Sequence, residues 1–253
     1  MGLPVRGPLH LSARPWVAET LPDYLPDDTV WRPSPNVNER AGAPDTLLIH
    51  FTNMDTAEAA VERLCCPEAR VSCHYVIAED GRVWQLVREG ARAWHAGLGG
   101  WGDVGEDMNS HCIGIEMANT GDAPFPEPQM RVLERMARGI MDRWDIPPER
   151  VIGHSDIAPD RKDDPGPRFD WRRLALQGLA VWPQVSAPDD NPGAFRDLAG
   201  AVGYRPGFSD ADVLKAMRLR FRPWATGPLD GWDIAVLRDI ATRFPVDRGA
   251  AGA

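Results

Sequence analysis

The segment Val151-Ile152-Gly153-His154-Ser155-Asp156-Ile157-Ala158-Pro159-Asp160-Arg161-Lys162-Asp163-Asp164-Pro165-Gly166-Pro167 carries an apolar strand into a loop crowded with a histidine, two cations and several carboxylates. Its prolines and glycine keep those side chains out of a helix or a strand. Ordering such a loop costs backbone entropy and buries little apolar surface, so the loop holds something other than a core. A second histidine, His50, ends the apolar run Leu47-Leu48-Ile49. Two histidines and an aspartate from separate strand ends suit a catalytic zinc, which takes three protein ligands and keeps one position open. A structural zinc is normally closed by a fourth ligand, often cysteine, and no cysteine lies in this loop. Spacing alone does not rank Asp156, Asp160, Asp163 and Asp164 as the third ligand.

Working outward, 46–51 is a buried strand. A helix follows with an apolar face of Ala57, Ala60, Val61 and Leu64, capped by Asp55 with Glu58 three residues on. The stretches 71–78 and 82–87 read as strands joined at Asp80-Gly81, a strong hairpin signal. The Gly- and Trp-rich stretch 91–105 reads as loop, and 112–117 as another short strand. Met130, Leu133, Ala137, Ile140, Met141 and Trp144 recur at helical spacing over 127–144. The last strand, 151–153, leads to His154, and 169–179 reads as helix. Strands and helices alternate around one hairpin, so the fold class is α/β, a mixed central sheet flanked by helices.

Residues 1–44, rich in Pro, Asn and Asp, read as an extended arm with little regular structure. The catalytic domain spans 45–185, and 186–192, with Pro188 and Pro192, reads as a linker. Helical patterns over 193–203, 209–221 and 230–243 make a small three-helix domain over 193–246. At roughly 55 residues it is marginal as an independent core and is expected to dock on the first domain.

The chain has 253 residues, 43% hydrophobic, enough for a sizeable core. A net charge of −9 argues against nucleic acid as a partner. Ten Trp stand against three Tyr, a bias read mainly as packing. Cys65, Cys66, Cys73 and Cys112 form no zinc-finger spacing and read as reduced, apolar residues. No apolar run is long enough for a transmembrane helix, and Met1 to Pro15 has no apolar signal core. The expected location is therefore the cytoplasm, with periplasm or outer membrane as the alternative for a longer natural chain.

Five motifs stand in order: Leu47-Leu48-Ile49-His50-Phe51-Thr52, Ser72-Cys73-His74-Tyr75, Ala93-Trp94-His95-Ala96-Gly97, Ile113-Gly114-Ile115-Glu116 and the 153–167 loop. With them, residues 45–183 resemble the zinc-dependent N-acetylmuramoyl-L-alanine amidases of the type 2 family, relatives of bacteriophage amidases and peptidoglycan recognition proteins. The run 161–167 is similar to the branch holding the anhydro-muropeptide recycling amidases and an outer-membrane lipoprotein amidase. The C-terminal helices resemble the small peptidoglycan-binding-like domain of the latter.

The resemblance implies zinc held by His50, His154 and Asp164, and so selects Asp164 from the loop. It implies cleavage of the amide between the lactyl group of N-acetylmuramic acid and L-alanine, in peptidoglycan or its (anhydro)muropeptide fragments. Glu116 is implied as the acid/base and Lys162 as the charge that steadies the oxyanion. His74, Trp94, His95 and Asn109 match cleft positions that contact substrate. Cys112 departs from the family pattern, which has a small hydroxyl residue there. The competing expectation is a peptidoglycan-recognition module that binds without cutting; loss of a zinc ligand usually marks such relatives, and Asp164 is present.

Overall fold

The computed structural model describes residues 24–246. Its strands are β1 (Val30–Trp31), β2 (Val37–Glu39), β3 (Thr46–Phe51), β4 (Tyr75–Ile77), β5 (Val83–Gln85), β6 (Ala91–Ala93), β7 (Cys112–Met117) and β8 (Val151–Gly153). Its α-helices are α1 (Ala57–Leu64), α2 (Met108–His111), α3 (Glu127–Trp144), α4 (His154–Ile157), α5 (Trp171–Leu176), α6 (Phe195–Val202), α7 (Asp210–Phe221) and α8 (Gly231–Arg243). The main sheet runs in the order β1-β5-β4-β7-β3-β8, and β2 pairs with β6 apart from it. This is the mixed sheet flanked by helices expected from the alternation of elements.

Parallel pairing decides where the chemistry lies. β4, β7, β3 and β8 run parallel side by side. Their carboxyl ends therefore open on one edge, the usual place for a ligand in a parallel sheet. Along β3, alternate residues face opposite ways. Leu47 and Ile49 pack with Leu133, Met136 and Ile140 of α3, all fully buried. Leu48 faces the other side, among residues of the C-terminal helices such as Val213, Met217 and Ile234. His50 shares that second face, in register with Glu116 on β7.

Several local readings need correction. The cap of α1 is Thr56, whose hydroxyl accepts the Ala59 amide at 3.1 Å, because the helix begins at Ala57 and not a residue earlier. The Asp80-Gly81 turn does join an antiparallel pair, β4 to β5, with Gly81 at φ 92°. The supposed loop at 91–105 contains β6, held by β2 of the arm through the pairing of Val37 with Ala93. The loop after His154 is not free of helix, since α4 makes one turn within it. Residues 1–23 of the expected arm, with His10, lie outside the described residues. From the rest, Arg40 donates to the carbonyls of Ser110 (2.7 Å), Cys112 (3.0 Å) and Ala91 (2.8 Å).

The C-terminal helices do not sit apart. Their apolar faces merge with Leu48, Trp101, Met108, Cys112, Ile152 and Ile157 in one buried cluster. Cys112 belongs to that cluster and is fully buried, so its departure from the family pattern concerns packing. No helix among the described residues is long and apolar enough to cross a membrane.

Candidate metal centre and active-site cleft

His50 near the end of β3, Glu116 near the end of β7 and His154 just after β8 come from three neighbouring parallel strands. Asp164 is brought to them by the return of the 153–167 loop, where the Ser155 amide donates to the Asp164 carbonyl at 2.9 Å. His50 Nδ1 lies 3.0 Å from His154 Nδ1 and 2.9 Å from Asp164 Oδ2. His154 Nδ1 lies 3.2 Å from the same oxygen. All three residues are buried, and together they form a group able to hold a metal ion.

Whether a cation fits can be tested on the donor atoms. His154 Nε2 is 2.9 Å from the Ala96 carbonyl and donates to it, which leaves Nδ1 turned toward Asp164 and His50. His50 Nε2 is 3.0 Å from His95 Nδ1. Burial lowers the His50 imidazole to about 4, so the ring is neutral, with Nε2 engaged by His95. Its Nδ1 faces Asp164 and His154. Burial acts to raise the Asp164 carboxyl, but the bonds to His154 and His50 outweigh it and hold the group well below the usual carboxylate range. Nδ1 of both imidazoles and Oδ2 of Asp164 thus converge within 2.9–3.2 Å, a donor set that a cation takes up as it displaces the protons shared there. Tetrahedral N and O ligands at about 2.0–2.1 Å from zinc stand roughly 3.3–3.4 Å apart, close to this triangle. The residues fit the ion, and each histidine has its other nitrogen engaged, as metal-ligating histidines do.

The triangle lies in a cleft of about 440 Å³, lined also by Glu116, Trp94, His95, Arg63, Lys162 and Asp163. Glu116 is half-buried, and its Oε2 is buried without a partner. Burial, reinforced by the Asp164 charge and opposed by Lys162, pushes its carboxyl well above the usual range. Asp163, the alternative to Asp164, is exposed at the rim of the cleft and pairs with Lys215 at 2.5 Å.

The four expected substrate contacts divide. Trp94 and His95 line the cleft. His74 does not reach it: the ring is fully buried, accepts the Gly114 amide at Nδ1 (3.0 Å) and donates from Nε2 to the Ala91 carbonyl (3.1 Å). Asn109 is likewise behind the wall, where its Oδ1 accepts the amides of His95 (2.9 Å) and Ala96 (2.8 Å). His74 thus joins the strand backbones at Gly114 and Ala91, while Asn109 holds the backbone that carries His95. Gly114 leaves room for that ring, since a Cβ there would stand 2.6 Å from His95 Nδ1. Sequence reading missed Arg161, which donates to the carbonyls of Ala96 (3.0 Å) and Leu98 and ties the ligand loop to the 94–98 segment. It also missed Arg40, Tyr204 and Arg220, for which no local pattern gives a signal.

A profile of the family described as N-acetylmuramoyl-L-alanine amidase matches residues 40–167. The N-acetylmuramoyl-L-alanine amidase AmiD of Escherichia coli is 34% identical over 234 residues, 79% of this chain and 83% of that protein. The 1,6-anhydro-N-acetylmuramyl-L-alanine amidase AmpD of the same organism is 41% identical over 107 residues, and there the match spans 42% of this chain and 58% of the relative. A solved complex of Escherichia coli AmiD with anhydro-N-acetylmuramic acid-L-Ala-D-gamma-Glu-L-Lys superposes with a TM-score of 0.73 at 32% identity, covering 82% of this chain and 93% of that one.

Proposed function

The chain belongs to the N-acetylmuramoyl-L-alanine amidase family, and on that premise we propose that it is a zinc-dependent hydrolase. Its bond would be the amide between the lactyl group of N-acetylmuramic acid and L-alanine, in muropeptides including the 1,6-anhydro fragments of cell-wall recycling. The observation that carries the reading is the buried convergence of His50, His154 and Asp164, opening on a cleft that also holds Glu116 and Lys162.

When bound there, zinc supplies Lewis acidity and a water acidified to near neutrality. The chain's own residues do the rest. Glu116, whose carboxyl burial pushes well above the usual range, gives a proton to the departing amine of L-alanine, a step typically worth 10²–10⁴-fold. Lys162 presents fixed positive charge toward the carbonyl oxygen as it gains charge. Trp94 offers an aromatic face to the sugar or peptide at the rim. The share of AmiD that the chain covers, and the anhydro-muropeptide in that solved complex, support this substrate class.

The test is release of free stem peptide from an anhydro-muropeptide by purified protein, with and without a chelator. We expect chelator-sensitive release, restored by zinc. Zinc-loaded protein that binds the muropeptide and never cleaves it would instead establish a recognition module. His154→Ala should lose both zinc and turnover, and stoichiometric zinc in that variant would refute the ligand set.

A further inference from the structure

The residues that follow the last strand are gripped from behind by the C-terminal helices. Asp156 sits in α4, two residues after His154, and is 1% exposed. One of its oxygens accepts the Tyr204 hydroxyl at 2.7 Å. The other accepts the Gly153 amide at 2.8 Å and Arg220 Nη1 at 3.2 Å. Arg220 Nη2 in turn donates to the Val151 carbonyl at 3.0 Å. Tyr204 follows α6 and Arg220 lies on α7, so both come from the helical segment beyond the linker.

The grip is tight on each side of the ligand. Val151, Gly153 and Asp156 are all bonded, directly or through one another, to Arg220, and His154 stands between them. Arg220 is itself 2% exposed, with its guanidinium 5.1 Å from the Trp171 ring centroid and 6.0 Å from that of Trp101. Tyr204 packs edge-on to Trp101 at 5.0 Å. An isolated carboxylate or guanidinium is costly to bury, and here each is buried against the other, with Tyr204, Gly153 and Val151 completing their hydrogen bonds. The same segment holds the 101–104 turn, through Gly102 amide to Gly203 carbonyl (2.8 Å) and Arg205 to Gly102 carbonyl (2.7 Å).

We propose that Arg220 and Tyr204 are positioning residues for the metal centre: through Asp156 they fix where His154 presents Nδ1, so the C-terminal helices complete the site as well as the core. This rests on the zinc reading above. The edge strand β8, which leads directly into His154, has a strand neighbour on one side only. The guanidinium at the Val151 carbonyl supplies a hold on the other side. Outer partners of metal ligands typically change metal affinity 10–100-fold when removed.

The test measures zinc affinity by competition with a chromophoric chelator, and the visible spectrum of the cobalt-substituted protein, in full-length variants. Tyr204→Phe removes one hydroxyl, and Arg220→Lys keeps the charge but not both bonds. Each should weaken zinc about tenfold, alter the cobalt spectrum, and lower kcat with KM little changed; Arg220→Met should be more severe. Arg218→Met serves as the comparison. It breaks a buried ion pair to Asp233 (2.6 Å) within the same helices and away from α4, so it should lower Tm and leave zinc affinity alone. If Arg220→Met fails to fold, the two milder variants still decide. Wild-type zinc affinity and cobalt spectrum in folded Tyr204→Phe and Arg220→Lys would overturn the proposal. A wild-type protein that takes up no stoichiometric zinc would overturn the zinc reading first, and this inference with it.

Discussion

At the scale of single residues, protonation states separate the buried groups by what they can do. Burial drives the Glu116 carboxyl upward, while at Asp164 beside it two imidazoles outweigh burial and hold the group down. Opposed shifts within one cleft divide the roles of proton donor and metal ligand. Glu116→Gln should therefore keep zinc and lower turnover by about 10²–10⁴-fold, and unchanged kcat would remove it from the mechanism. His74 gives a different expectation, in stability. Burial, with Arg40 nearby, lowers it from 6.5 to about 3, so the folded state keeps it neutral. As pH falls from 6.5 toward 3 the unfolded chain binds the proton first, and stability is lost across that window, about 2 kcal/mol of it by pH 5. His74→Gln can still accept from Gly114 and donate to Ala91. The difference in urea-unfolding free energy between pH 7 and pH 5 should be smaller by about that amount in the variant than in the parent.

At the scale of elements, helix α3 was legible to the residue from its apolar spacing, and β3, β7 and β8 from their short apolar runs. Strand β6 was not, because Ala91-Arg92-Ala93 has no strand pattern and becomes a strand only by pairing with the arm. Helix α3 also holds a contact that its periodicity does not announce. A Cβ on Gly139 would stand 2.2 Å from the Tyr24 ring, and Tyr24 bonds to the buried Glu89, which also accepts from Tyr75 (2.8 Å) and Trp144 (2.7 Å). Alanine is favoured over glycine in a helix by about 1 kcal/mol, but overpacking costs about 1–3 kcal/mol. We expect Gly139→Ala to destabilise the parent and to stabilise a Tyr24→Ala background, a reversal that a double-mutant cycle in denaturant would register.

At the scale of the whole molecule, the C-terminal helices share a core with one face of the sheet. Val213, Met217, Phe221, Ile234 and Leu237 are buried together with Leu48 and Ile152. Removing the chain after Val185 should therefore uncover that face. The truncated protein should bind a hydrophobic dye, lose its cooperative unfolding transition and hold zinc poorly. A truncated form with a sharp melt and parental zinc affinity would show the first part to be self-sufficient. For the same reason, lost binding to cell-wall sacculi on truncation would not separate an anchoring role from a structural one. Point changes on the exposed faces of α6 to α8 are the cleaner means.

The sequence by itself determined the mixed α/β class, the strand ends that carry His50 and His154, and the chemical character of the 153–167 loop. Those features are local: hydrophobic period, turn residues and residue type are written in neighbouring positions. Tertiary structure decided what depends on distant segments meeting. It set Asp164 against both imidazoles and paired Asp163 with Lys215 at the rim of the cleft. It withdrew His74 and Asn109 behind the cleft wall, and it placed Arg220 and Tyr204 at Asp156, 64 and 48 residues away along the chain. Which carboxylate loses its proton, and which is shielded from water, follows from burial and from the charges that the fold brings near, and neither is a property of a residue's sequence neighbours.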